Sequence, residues 1–289
     1  MPRALLFLAP WLISFLLFFA GPIAASLWLS LTNYDGLNPA QYLGLSNYQE
    51  MLTRDPMFWN SLRVTLSYAL IALPLGTIFA ILVAIVLNTR IIGQSCYRSL
   101  IYLPTIIPIV ASSVVWSWVF KADETGLINN LLAPAYKLLG LPAPMWLADP
   151  HLALPALIIM SFWSLGNPII IYLAGLQNIP DSLYEAAEID GAGSMAKLWH
   201  ITLPMLSPTI FFNITIGLIQ VFQYFVPAYV MTSGGPQGAT MFYSLYAYQL
   251  AFDDFRMGYA SALAWVLFII VMLATWLSFR LSRDHVHYS

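Results

Sequence analysis

Six stretches of the chain run for more than twenty residues without a single Asp, Glu, Lys or Arg: 4–31, 64–87, 99–120, 152–176, 203–231 and 257–279. About 20 mostly apolar residues suffice for a helix to cross the hydrocarbon core of a bilayer. Each run is rich in Leu, Ile, Val, Phe and Ala and is bounded by polar or charged positions. They are continuous and lack the two-residue alternation of a membrane β-barrel. The sequence therefore predicts an all-α integral membrane protein with six transmembrane helices in one unit spanning 1–289. Charged residues make up 8% of the chain, against about 25% in a soluble domain, so water could not solvate a globule of this composition. The first run carries Arg3 and the small residues Ala24, Ala25 and Ser26, as a signal peptide would. It is roughly twice the length of a signal h-region, and a retained helix is expected.

Other classes lose ground on the same sequence. A net charge of −2 offers no basic footprint for nucleic acid. Cys96 is the lone cysteine, which excludes an intrachain disulfide and a cysteine metal site. The four histidines, 151, 200, 285 and 287, are too scattered to suggest a metal cluster. No G-x-x-x-x-G-K-[ST] string occurs, so the chain is not expected to bind ATP or any cofactor of its own.

Loop charge bears on orientation. Arg3, Arg90, Arg98, Lys197, Arg280 and Arg283 fall on one side of the six-span plan, and Arg54, Arg63, Lys121, Lys137 and Arg256 on the other. The count is close, and loop length decides it. The short connection 88–98 has two arginines and no acid, whereas the opposite, longer loops hold eight of the 13 carboxylates. Both termini and the 177–202 loop are expected to be cytoplasmic. Residues 127–139 are apolar enough for a helix on the opposite membrane surface, and Ser233-Gly-Gly-Pro236 reads as a turn ending the fifth span. Trp116, Trp118 and Trp146 are expected as interfacial anchors, and Pro74, Pro104, Pro108 and Pro168 as kinks.

The cytoplasmic loop concentrates acid: Asp181, Glu185, Glu188 and Asp190 lie within ten positions. The segment 180–190 reads as a short helix, with Pro180 in its first turn, Ser182-x-x-Glu185 as a capping box and Gly191 at its end. Ser182, Glu185 and Glu188 would share one face, and Leu183, Ala186, Ala187 and Asp190 the other. Paired alanines leave almost no bulk, which permits close approach of another surface. A partner-docking helix and a solvated connector both fit these residues.

Two further sets of residues stand out inside the spans, where polar groups are costly and usually face a cavity or a neighbouring helix. In the fifth, Asn213, Gly217, Gln220 and Tyr224 recur at steps of 4, 3 and 4, one helical face. In the fourth, Trp163, Ser164 and Asn167 cluster. At 1.5 Å per residue, Gln220 lies roughly 24 Å beyond Pro204, near mid-bilayer. Amides, hydroxyls and rings beside a glycine notch suit a sugar; for any single residue, polar contact between helices is the competing explanation.

The string Glu185-Ala-Ala187, Gly191 and Ile201-x-Leu-Pro204, spaced EAA-x3-G-x9-I-x-L-P, resembles the EAA loop of ABC importer permeases. Asp190-Gly-Ala192 and Pro208 match its carbohydrate-importer form. "YLGLSNY" (42–48), "YLPTIIP" (102–108) and "TSGGP" (232–236) resemble the smaller permeases related to the maltose transporter's MalF subunit. The resemblance implies a sugar-passing permease of the bacterial or archaeal inner membrane, paired with a second, homologous permease. It also implies two ATPase subunits that hold ATP and Mg, and delivery by an extracytoplasmic solute-binding protein. Glu185, Ala186, Ala187, Asp190 and Gly191 would be the ATPase-coupling positions, and the two polar sets the substrate path. An ion-coupled secondary transporter is the alternative class, and it usually needs a charged residue or discontinuous helices within the membrane. A membrane enzyme lacks paired carboxylates or a His cluster in any span. Among importers, the absence of Arg and Lys from the spans favours a neutral sugar over a glycerol phosphate.

Overall fold

The computed structural model describes residues 2–89, 92–123 and 125–282, with side chains from Phe7 onward. Arg90, Arg283 and the side chain of Arg3, all used in the orientation argument, lie outside the described residues, as do His285 and His287. No named strand occurs among the described residues, only an isolated bridge between Thr32 and Tyr42.

The first span is α1 (Pro2–Phe15), a π-turn (Leu16–Ala20) and α2 (Gly21–Leu29). A loop then leads to α3 (Ser46–Thr53), anchored by Asn47, whose buried Nδ2 donates to the carbonyls of Ser30 and Thr32 at 2.8 Å each. The long helix α4 (Pro56–Asn88) follows. Asp55 caps it, accepting from the amides of Met57 and Phe58 at 2.9 and 3.1 Å, and Pro56 occupies the first position, where a missing N–H costs nothing. Its 33 residues reach about 50 Å, well beyond the ~30 Å hydrocarbon core. Pro74 sits inside α4 without ending it.

The next three spans are not the continuous helices that their apolar runs suggest. The third is α5 (Gln94–Ile106) and α6 (Ile109–Val119), meeting at 98° across Ile107 and Pro108. Pro104 lies in the last turn of α5, and Pro108 is the N-cap of α6 and lacks the N–H a continuing helix would need. After α7 (Leu127–Leu139), the fourth span divides into α8 (Ala153–Phe162) and α9 (Gly166–Gln177), bent by 46°. The connection holds α10 (Asp181–Ile189), α11 (Ser194–Lys197) and a second π-turn (Leu198–Thr202). The fifth span is α12 (Leu203–Phe222) followed, after an interruption at Gln223–Phe225, by α13 (Val226–Met231). A short α14 (Tyr243–Phe252) and the final span α15 (Met257–Ser282) follow. Among the described residues, four helices are long and apolar enough to cross a membrane, and six spans result when each bent pair counts as one.

Helix α4 is the axis, packed against α8, α9, α12 and α14. Its buried residues Ala72, Gly76, Ala80 and Ala84 recur every fourth position, a stripe of small side chains that admits its neighbours closely. Ala80, Ala84 and Leu87 meet Ile169, Leu173 and Leu176 of α9 and Leu206 of α12 in one apolar cluster. Trp146 is held more firmly than a membrane-surface anchor needs to be. Its Nε1 donates to Asn129 of α7 at 2.9 Å, and its ring packs 5.8 Å from Phe120.

Candidate functional site

A cavity of about 430 Å³ opens among α4, α8, α9, α12 and α13. The breaks in the fourth and fifth spans border it, Ser164 and Leu165 at the former and Gln223 and Phe225 at the latter. Of the residues singled out within the spans, Ser164, Asn167, Asn213, Gly217, Gln220 and Tyr224 line it together. Trp163 does not; its ring stands edge-on to Trp116 at 6.0 Å, on the side of α6. Gly217 is less of an open notch than its sequence suggests. A Cβ there would stand 2.6 Å from Leu73 Cδ1, so the glycine seats α4 against α12.

The lining gains residues that the apolar runs conceal: Tyr68, Gly76 and Thr77 on α4, Ser161 on α8, and Tyr172 on α9. Tyr68 and Tyr224 approach with ring centroids 4.5 Å apart, and Phe242 lies 5.1 and 4.7 Å from them. Asn213 donates to the carbonyl of Thr209 at 3.1 Å, which leaves its side-chain carbonyl available as an acceptor. Ser161 likewise commits its proton to the carbonyl of Ile158, at 2.6 Å. The hydroxyl of Tyr172 lies beside Thr77 and that of Tyr224 beside Tyr68, both buried in the lining. None of the described lining side chains is charged.

The second arrangement is the loop that carries α10. The helix begins at Asp181 with Pro180 as N-cap and no side-chain cap hydrogen bond. Ser182 is thus already inside the helix, and the expected Ser182–Glu185 capping box does not form. The end follows glycine geometry: Gly191 has φ +75°, its N–H donates to the carbonyl of Glu188 at 3.0 Å, and Ala192 N–H donates to that of Ala187 at 2.8 Å. Those two bonds close a Schellman motif. The face that α10 turns inward is narrow. Tyr184 and Ala187 are its only half-buried residues, while Glu185, Ala186 and Asp190 are exposed. Ile189, to which no sequence pattern draws attention, is 87% exposed. Glu188 accepts from Lys197 Nζ at 2.7 Å, and that lysine holds its carboxyl below the usual carboxylate range.

Residues 72–285 match the family described as the binding-protein-dependent transport system inner membrane component. The chain belongs to this family. Full-length likeness to individual permeases agrees. It is 44% identical to the probable ABC transporter permease protein YesP of Bacillus subtilis (strain 168), over 98% of this chain and 91% of that one. It is 34% identical to the arabinooligosaccharides transport system permease protein AraP of the same organism, over 96% and 87%. With the lactose transport system permease protein LacF of Rhizobium radiobacter it shares 35% identity, over 96% and 93%. One chain in the crystal structure of a bacterial alginate ABC transporter, in complex with an alginate pentasaccharide-bound periplasmic protein, superposes with a TM-score of 0.83. The two are 25% identical, over 96% of this chain and 93% of that one.

The molecule is therefore a multi-pass permease component of a binding-protein-dependent ABC system, and such components are not themselves catalytic. Broken helices, one mark of ion-coupled transporters, are present here in the third, fourth and fifth spans without making it one. Those in the fourth and fifth place backbone ends and polar side chains at the cavity.

Proposed function

We propose that this permease passes a neutral saccharide, delivered by an extracytoplasmic solute-binding protein, through the cavity between α4, α9 and α12. The observation that carries the reading is the lining itself: amides, hydroxyls and tyrosine rings with no charged side chain among the described residues. A sugar needs a hydrogen bond for each hydroxyl and a flat apolar surface for its ring face, and discrimination comes from groups left unpaired when the wrong solute binds. Permeases named for arabinooligosaccharide and lactose transport among the relatives support it.

In this reading the cavity is completed by a second, homologous permease, and the pair is driven by two ATPase subunits that hold ATP and Mg. Both termini and α10 face those subunits in the cytoplasm. Exposed Glu185, Ala186 and Ile189 dock into an ATPase cleft, with Ala187, Asp190 and the Gly191 turn setting the helix's exit. Ile189, 87% exposed, adds an apolar contact to the charged ones.

The test is ATP hydrolysis and uptake by the complete complex in proteoliposomes, with binding protein and a panel of neutral mono-, di- and oligosaccharides, uronic-acid oligosaccharides and glycerol phosphate. Stimulation by a neutral saccharide is expected. Stimulation by the anionic members alone would overturn the substrate class, and uptake driven by an ion gradient without ATP would overturn the importer reading.

A further inference from the structure

The backbone that joins α10 to α12 offers little stiffness. Gly191 is left-handed, Gly193 is extended (φ −73°, ψ 167°), and a Cβ at either would meet nothing within 4 Å. A push on α10 would dissipate in such a hinge unless side chains bridge it.

They do. Tyr184 Oη lies 3.0 Å from Thr202 Oγ1. Thr202 is 7% exposed and ends the second π-turn, and its hydroxyl donates to the carbonyl of Lys197 at 3.3 Å. With that proton so used, Thr202 accepts from Tyr184. Lys197 Nζ in turn donates to Glu188 at 2.7 Å. Tyr184 and Glu188 stand four residues apart on one face of α10, so the contacts close a ring: Tyr184, Thr202, Lys197, Glu188 and back along the helix. The Tyr184 ring is seated in the apolar cluster formed by Leu206, Ile201 and Leu203, at the base of α12. Eleven residues beyond Thr202, about 16 Å, α12 presents Asn213 to the cavity.

We propose that this ring is the transmission between motor and path, with Tyr184 and Thr202 as positioning residues that make α10 and α12 move as one rigid body. The inference rests on the ATP-driven reading above. It assigns to the π-turn a purpose: the turn sets Thr202 facing α10 and its hydroxyl within reach of the Lys197 carbonyl, five residues back.

The experiment uses the complete complex in proteoliposomes and measures saccharide moved per ATP hydrolysed, alongside complex yield. Tyr184→Phe keeps the ring in its seat and removes only the hydroxyl; Thr202→Val removes the other end. Each is expected to leave yield and basal ATP hydrolysis near wild type and to lower the transport-to-hydrolysis ratio about fivefold, the factor one net hydrogen bond carries. The double variant should be no worse than either single, and Thr202→Ser should restore the ratio. Spin labels on Ser182 of α10 and Phe212 of α12, both exposed, should keep a constant separation with and without ATP in the wild type and change it in Tyr184→Phe. An unchanged ratio in both single variants, or a fall in yield with the ratio intact, would overturn the transmission role. A wild-type complex without saccharide-dependent ATP hydrolysis would instead overturn the reading on which it rests.

Discussion

The two ends of the helix bundle handle carboxylates in opposite ways. At the N-terminal end of α4, Asp55 accepts four hydrogen bonds: two from the backbone amides it caps and two from the hydroxyls of Tyr246 and Tyr259, at 2.7 and 2.6 Å. Nearby, Arg256 forks onto both oxygens of Glu50 at 2.8 and 2.9 Å and lies over the Tyr259 ring. These contacts fasten α3, α4, α14 and α15 to one another. At the other end, α10 and its C-cap carry Asp181, Glu185, Glu188 and Asp190, and of these only Glu188 enters an ion pair among the described residues. Asp55 and Glu50 are consumed between helices, whereas Asp181, Glu185 and Asp190 at the other end are exposed. Acid content alone therefore does not separate a structural knot from a docking surface. The separation lies in whether the carboxylates find partners within the chain.

Substitutions at the two ends should consequently fail differently. The largest effect is expected for Asp55→Ala, which leaves two tyrosine hydroxyls and two helix amides unpaired. Hydrogen bonds to a charged group carry about 1.5–3 kcal/mol each, so loss of roughly 3 kcal/mol and a marked fall in thermal midpoint in detergent should follow, whatever partners are present. Glu185→Ala combined with Gly191→Val should leave that midpoint near wild type but weaken ATPase-subunit capture at least about tenfold. A β-branched residue at φ +75° cannot keep the turn without strain of about 1–2 kcal/mol. Undiminished capture would reduce α10 to a connector. At the cavity between the ends, Gln220→Leu and Asn213→Leu should each lower saccharide-stimulated hydrolysis about fivefold to tenfold while basal hydrolysis holds, the effect of removing one buried hydrogen bond to the solute. Equal losses in both rates would mean these amides only join helices.

The smallest effect concerns pH. Lys197 depresses the folded-state pKa of Glu188, so this carboxylate's contribution is complete above its unfolded pKa and disappears as pH falls through the lowered folded value. Tethering of α10 should hold at neutral pH and loosen only below the ordinary carboxylate range. A spin label at Ser182 should become more mobile there in the wild type, whereas Lys197→Met should be equally mobile at every pH. The pair is exposed on the Glu188 side, which keeps the effect slight.

The sequence is legible wherever a local period or spacing carries the information. Asn213, Gly217, Gln220 and Tyr224 stand out because polar residues at helical steps are conspicuous in an apolar run, and they do line one cavity. Thr77 and Tyr172 line it too, yet neither sits in a polar period that would expose it. Asp55 is illegible for another reason: its tyrosine partners are 191 and 204 positions away. The capping box is legible and absent, because the helix starts one residue before the serine that would have capped it. The breaks occupy an intermediate place. Pro108 announces the first, whereas the interruption at Gln223–Phe225 has only Pro227, two residues farther on, to betray it.

The stripe at Ala72, Gly76, Ala80 and Ala84 has a mechanical consequence. Each step of four residues also turns about 40° around the helix, so the notches spiral rather than run straight. Ala72 receives Leu157 and Ala228, whereas Ala80 and Ala84 receive α9 and the start of α12. One helix therefore seats neighbours on successive sides, and a larger side chain at any one notch would part a different pair of elements.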